Sequence, residues 1–190
     1  MTRCLADSRV ATQISNNFEL LTTIPAITKN NGPGSYVADV IYRDGPPSSS
    51  MDITIRQAAA LVDISQSCSQ TVMYRCESAV LLNTPGTPYG WWVSRNDEKI
   101  VSWGGAPTNS RRCGCGVTNS CYNRTKMCNC DANEGGRALE DFGALTEKRY
   151  LPVKQLRFGY EDVGNNPHAF YSLGKLSCRN RGMDASIITK

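Results

Sequence analysis

The chain has 190 residues, 40% of them hydrophobic and 20% charged, which is enough for one domain with its own core and excludes disorder throughout. Its net charge of +4 comes from lysines and arginines scattered along the sequence, with no basic stripe, so composition excludes a nucleic-acid partner. No run reaches the roughly eighteen apolar residues of a membrane span. Taken in chain order, residues 29–35 and 44–50 read as loops, because Gly and Pro punctuate both. Between them residues 36–42 (Tyr-Val-Ala-Asp-Val-Ile-Tyr) have the composition of a strand. From Ile55 to Ile64 the apolar positions Ala58, Ala59, Leu61 and Val62 recur at helical spacing. Val72, Tyr74 and Cys76 then alternate with polar neighbours, as in a half-buried strand. Shorter strands are expected over 89–94, 99–103 and 156–160. Another covers 170–178, after a turn at 164–167 (Gly-Asn-Asn-Pro). One helix, several short strands and long loops make an α+β chain.

The loops need covalent ties, and the cysteines supply them. There are nine: Cys4, Cys68, Cys76, Cys113, Cys115, Cys121, Cys128, Cys130 and Cys178, five of them crowded into residues 113–130. That segment is rich in Gly, Asn and Thr and has little to bury, so disulfides and an oxidising compartment outside the cell are the natural reading. The glycosylation sequon at Asn123, Asn123-Arg124-Thr125, agrees with a secreted surface. Zinc is the competing reading, but the close pairs Cys113/Cys115 and Cys128/Cys130 are one residue apart rather than two to four, and the one histidine, His168, is distant. Several pairings stay open. Cys68 and Cys76 would close a small loop, Cys113 or Cys115 would join Cys128 or Cys130 across Cys121, and Cys178 would reach Cys121. The odd count leaves Cys4 unpaired or intermolecular. No secretory signal is readable, so an extracellular cysteine pattern without one implies a piece of a longer protein.

Several blocks between Ser67 and Cys178 carry a resemblance. They are Ser67-Cys68-Ser69-Gln70, Tyr74-Arg75-Cys76, Leu81-Leu82-Asn83-Thr84-Pro85, Thr87-Pro88-Tyr89-Gly90-Trp91-Trp92 and Trp103-Gly104-Gly105-Ala106-Pro107. Cys113-Gly114-Cys115-Gly116, Cys128-Asn129-Cys130-Asp131-Ala132, Leu151-Pro152-Val153 and Ser172 through Cys178 complete them. In this order the chain resembles the fibrinogen-like domain of the contactin-associated proteins, the neurexin-related adhesion molecules. A weaker likeness joins Ser67-Cys68 through Cys76 to the carboxyl propeptides of fibrillar collagens. The resemblance implies a twisted, mainly antiparallel sheet with one packed helix and disulfide-stapled loops. Residues 51–180 would be the domain, 1–50 its poorly matched N-terminal part and 181–190 a tail. It makes Cys4 the second half of a first disulfide whose partner lies upstream.

By the same resemblance the protein is an extracellular adhesion or matrix-assembly module, secreted or part of a membrane protein's ectodomain, that binds a protein partner. The alternatives are a calcium-dependent lectin for acetylated sugars and a covalent assembly domain that links chains into oligomers. Arg111, Arg112 and Arg124 stand in the exposed loops that such a partner would meet. Asp131, Asn133 and Glu134 bring oxygen ligands together before Gly135-Gly136, a composition that suits calcium; the family's calcium site lies in this sector. The order is not an EF-hand, because the twelfth position from Asp131 is Phe142. An Asx-rich turn is the plainer reading of the same residues. Trp91, Trp92 and Trp103 read as core aromatics before a ligand platform, with Trp91 and Trp92 facing opposite ways. His168 reads as a surface residue. No nucleophile elbow, reactive-cysteine signature or paired carboxylates mark a catalytic site, so no enzyme and no cofactor other than calcium is expected.

Overall fold

The computed structural model describes residues 11–24, 32–45, 49–159 and 168–180. Cys4, the turn at 164–167, Tyr160 and the tail 181–190 lie outside them, as do parts of both early loops. The strands are β1 (Ala11–Asn16), β2 (Thr22–Thr23), β3 (Tyr36–Asp39), β4 (Tyr42–Asp44) and β5 (Met51–Ile53). Helix α1 (Ile55–Ile64) follows, then β6 (Ser67–Glu77), β7 (Trp91–Val93), β8 (Lys99–Ile100) and the one-turn helix α2 (Gly114–Val117). A 3-10 turn at Cys130–Ala132 precedes β9 (Leu139–Leu145), β10 (Gln155–Phe158), β11 (His168–Leu173) and β12 (Leu176–Arg179).

Strand β6 is the spine. Its alternation buries Cys68, Gln70, Val72, Tyr74 and Cys76 on one face, the period of two that its sequence shows. One edge of β6 pairs with β9; the other pairs first with β12 and then with β11, all antiparallel. The order β2-β11-β6-β12-β1-β4-β5 with β9 makes an eight-stranded sheet, and β3-β10-β7-β8 makes a second, four-stranded one. Leu173 faces Val72 and Ser177 faces Ser69, so four residues on one strand span three on its partner. This is a bulge, and Gly174 sits in it because a Cβ there would meet the Thr71 hydroxyl at 2.0 Å. Asn16 and Gln70 side-chain amides donate to the Gly174 carbonyl at 2.8 and 3.1 Å, so the bulge leaves this acceptor paired. The expected strand over 170–178 is therefore two strands.

The expected strand over 36–42 is also two, because the chain changes sheets at Val40-Ile41. Val40 donates its amide to the Lys154 carbonyl in the small sheet, and Ile41 donates to the Asn17 side chain beside β1. Sequence composition cannot show which sheet a strand joins. Helix α1 occupies the expected residues. Thr54 caps it by accepting from the Gln57 amide at 3.2 Å while Gln57 accepts from the Thr54 amide at 2.8 Å, a capping box. Ala58 and Val62 are buried in the core. The core closes on Phe158, whose ring centroid lies 5.3 Å from Tyr74, 5.8 Å from Trp103 and 5.1 Å from Tyr171. The molecule is thus mostly antiparallel sheet with few helices and several disulfides. Among the described residues no helix is long and apolar enough to cross a membrane.

Candidate functional site

Among the described residues four disulfides join eight cysteines: Cys68–Cys178, Cys76–Cys130, Cys113–Cys128 and Cys115–Cys121. Two expected pairings are corrected. Cys68 and Cys76 lie on the same strand and face, separated by eight extended residues or roughly 26 Å, and cannot meet. Cys178 is instead the antiparallel register partner of Cys68, with Cα atoms 4.1 Å apart, and so is not joined to Cys121. Cys121 closes a six-residue loop with Cys115, leaving Cys113 to join Cys128 and Cys130 to reach back to the spine at Cys76. Cys113, Cys128 and Asp141 place ligand atoms within 4.8 Å of one another, but the two sulfurs are bonded to each other and offer no thiolate to a metal.

These bridges tie residues 103–132 against the outer edge of β9, so the edge is covered. The covering is backbone on backbone: a Cβ at Gly143 would lie 2.2 Å from the Gly104 carbonyl, and one at Gly114 would lie 2.4 Å from the same atom. Trp103 is fully buried at the root, donating its indole N–H to the Asp141 carbonyl at 3.0 Å and its backbone N–H to the Arg112 carbonyl at 2.9 Å. Trp92 is buried and donates to the Ser102 carbonyl, while Trp91 is half-buried beneath the Lys99 ammonium, 3.7 Å from its ring centroid. Trp91 and Trp92 therefore face opposite ways, and neither Trp92 nor Trp103 is open to a ligand.

Two buried carboxylates hold the 3-10 turn from either side. Asp131 accepts from the amides of Leu81 and Leu82 at 3.1 and 3.0 Å, and from Thr84 at 3.3 Å. Asp141, on β9, accepts from Asn129 and Cys130, both at 2.9 Å. Burial raises its pKa to about 7 against the pull of those two hydrogen bonds, and the nearby carboxylates of Asp131 and Glu140 push the same way. Sequence reasoning missed Asp141. The signal lies in Leu139-x-Asp141-x-Gly143-x-Leu145, which places a carboxylate at an inward position of an alternating strand.

The residues expected to meet calcium do not share one environment. Asp131 is 2% exposed and spends its oxygens on chain amides, whereas Asn133 and Glu134 are exposed beyond the turn, Asn133 with φ of 50°. The arginines stand on the cystine loops. Arg111 is half-buried at φ of 57°, with its guanidinium donating to the carbonyls of Pro85 and Gly86. Arg112 and Arg124 are exposed, and Arg124 reaches the Asn119 carbonyl. The Cys113–Cys128 bridge and the Cys113 amide bond to the Met127 carbonyl bring the Arg112 and Arg124 segments back to one another. Asn123 is half-buried, its carbonyl oxygen accepting from the Thr125 amide at 3.0 Å and the Thr125 hydroxyl at 2.7 Å. His168 opens β11, exposed, opposite Glu77.

No family model matches the chain. It is 34% identical over 192 residues to neurexin-4 of Drosophila melanogaster, which takes in 97% of this chain and 14% of that protein. It is 37% identical over 123 residues to contactin-associated protein 1 of Mus musculus and of Homo sapiens, covering 64% of this chain and 9% of each. The chain spans a small part of these relatives, and it is homologous to that segment of neurexin-4 and contactin-associated protein 1.

Proposed function

We propose that this chain is a fibrinogen-like, non-catalytic module of an extracellular adhesion protein, and that it meets a protein partner through the cystine loops bearing Arg111, Arg112 and Arg124. On this reading residues 51–180 are the domain proper, 1–50 its N-terminal part and 181–190 a tail. The observation that carries the reading is the rigidity of those loops. Three disulfides, two buried carboxylates and three glycine contacts fix residues 103–132 on the sheet, so their outward side chains are presented in one arrangement and lose little entropy on binding. A glycan on Asn123 would sit among them and restrict the approach. Asp131 acts here as the anchor of the 81–84 segment, so a calcium ion at Asp131, Asn133 and Glu134 would have to compete for oxygens already taken by amides.

One relative is named for association with contactin, which makes contactin the partner to try first. The test is binding of the secreted chain to an immobilised contactin ectodomain, with and without Arg111→Ala, Arg112→Ala and Arg124→Ala together. Saturable binding that weakens at least tenfold in the triple variant is expected. Binding that is absent, or indifferent to the substitutions, would sink this assignment of partner and face.

A further inference from the structure

From Lys99 to Cys130 the chain carries five Lys and Arg residues and no Asp or Glu, a charge of +5 in thirty-two residues against +4 for the whole. Residues scattered in sequence are gathered here by covalent ties. Lys99 and Arg111 are close enough that Arg111, after burial, lowers the Lys99 pKa. Arg111 adjoins Arg112, which precedes Cys113; the Cys113–Cys128 bridge then brings Lys126 and Arg124 alongside. Arg137 extends the run, its guanidinium 4.4 Å from the Tyr122 ring centroid and bonded to the Tyr122 hydroxyl at 3.1 Å. Among the described residues none of these six cations has a carboxylate partner; the ion pairs formed are Arg43–Asp52, Arg95–Asp63 and Lys154–Asp97, elsewhere on the molecule. By position the flanking acids on one side are Glu98, half-buried beside Lys99, and Asp97, exposed and paired with Lys154. On the other side are the buried Asp131 and Asp141 and the exposed Glu134 and Glu140; Glu147 accepts from the Thr108 amide within the segment.

We infer that this cationic face, Lys99–Arg111–Arg112–Lys126–Arg124–Arg137, binds a sulfated polysaccharide chain of the extracellular matrix. The inference goes beyond the protein contact proposed above and does not rest on it. A positive patch complements a negative one, and from Lys99 to Cys130 the cations follow one another along the chain with no acid between them. A face of a single sign complements a polymer of a single sign, and the attraction comes from released counterions. The cations are also held before the ligand arrives. Lys99 lies on Trp91, Arg111 is fixed by two carbonyls and a left-handed backbone, and Arg137 lies on Tyr122. An anion bridging Lys99 and Arg111 relieves the repulsion between them.

The test is retention on heparin–agarose at about 0.15 M salt. The wild-type chain should be retained, and Arg112→Gln/Arg124→Gln/Lys126→Gln should bind roughly 50-fold more weakly, by the counterion-release slope of a flexible polyanion. A control with the same charge change elsewhere, Arg43→Gln/Arg56→Gln/Lys175→Gln, should lose less than threefold. All three control positions are exposed, as are Arg112 and Arg124, so the substitutions leave the core untouched. Equal loss in the two triples would mean that net charge alone binds and would overturn the inference. Stronger retention on a polyglutamate resin than on heparin would overturn it in favour of an acidic protein. Wild-type passage without retention would overturn it outright. The contactin measurement is made without polysaccharide, so either proposal can fail while the other stands.

Discussion

The sheets and the cystine loops of this molecule solve the same problem by different means. The sheets hide apolar side chains at every second position: Val72, Tyr74, Leu156, Phe158, Tyr171 and Leu173 are all nearly inaccessible. Residues 103–132 have few such side chains to hide, and hold shape through sulfur bridges, backbone amides on buried carboxylates and glycines in direct contact. A sheet core tolerates error gradually, because its stabilisation is a sum of many small contacts. The loops depend on a few groups, each of which leaves a buried polar atom or a clash when removed. The difference can be broken from either side.

The largest effect is expected in the sheets. Leu156 is completely buried on β10 between β3 and β7, so Leu156→Ala removes its transfer energy and leaves a cavity. A loss of about 2–5 kcal/mol in urea unfolding is expected, with the disulfides intact by mass. A loss under 1 kcal/mol would mean that the two sheets are less tightly joined than their packing indicates.

In the loops the corresponding weak point is Asp141. Its folded pKa is about 7 and its ordinary value 3.8, so the folded state prefers the protonated carboxyl. The stability it supports is fully present below about pH 4 and is lost as pH rises through about 7. At about 1.4 kcal/mol per unit, three units set an upper bound of about 4 kcal/mol. Asp141→Asn should flatten this part of the pH–stability curve, even though its amide nitrogen will face one of the two backbone donors and lower the whole curve. A slope between pH 4 and 7 that survives the substitution would place the titration elsewhere.

Two glycines separate the regions more finely. A Cβ at Gly143 meets the Gly104 carbonyl at 2.2 Å, and backbone pinned by the neighbouring bridges cannot withdraw. A Cβ at Gly174 meets the Thr71 hydroxyl at 2.0 Å, the end of an exposed side chain that can turn away. Gly143→Ala should therefore cost about 1–3 kcal/mol by overpacking, and Gly174→Ala clearly less. Equal melting temperatures for the two variants would contradict the view that the loops are the less forgiving region.

The same division decides what was legible in the sequence. Helix α1 and strand β6 were readable because periodicity reports burial directly, at 3.6 residues for Ala58 and Val62 and at two for Val72, Tyr74 and Cys76. Strand β9 was not, because Leu139–Leu145 carries Glu, Asp and two inward positions filled by Asp141 and Gly143, chemistry dictated by the loops it receives. The crowding of cysteines announced the loops themselves. Their pairing was illegible, since it depends on which strands lie side by side: Cys178 meets Cys68 through sheet register, not through distance along the chain. The change of sheet at Val40-Ile41 was hidden for the same reason.

The smallest effect belongs to the most local of these signals. Thr54, Gln57 and the first turn of α1 form a capping box whose atoms lie within four residues of one another, on the exposed side of the helix. Thr54→Ala removes the hydroxyl that accepts from the Gln57 amide, and the freed donor turns to water, so about 1 kcal/mol should be lost. Thr54→Ser should restore most of it, because a serine hydroxyl caps as well. The cystine loops offer no equivalent local repair: their short helix α2 has no side-chain cap, and its start is fixed by Cys113 through the bridge to Cys128. A cost well above 2 kcal/mol for Thr54→Ala, with failure of the serine rescue, would show that α1 is held as non-locally as the loops are.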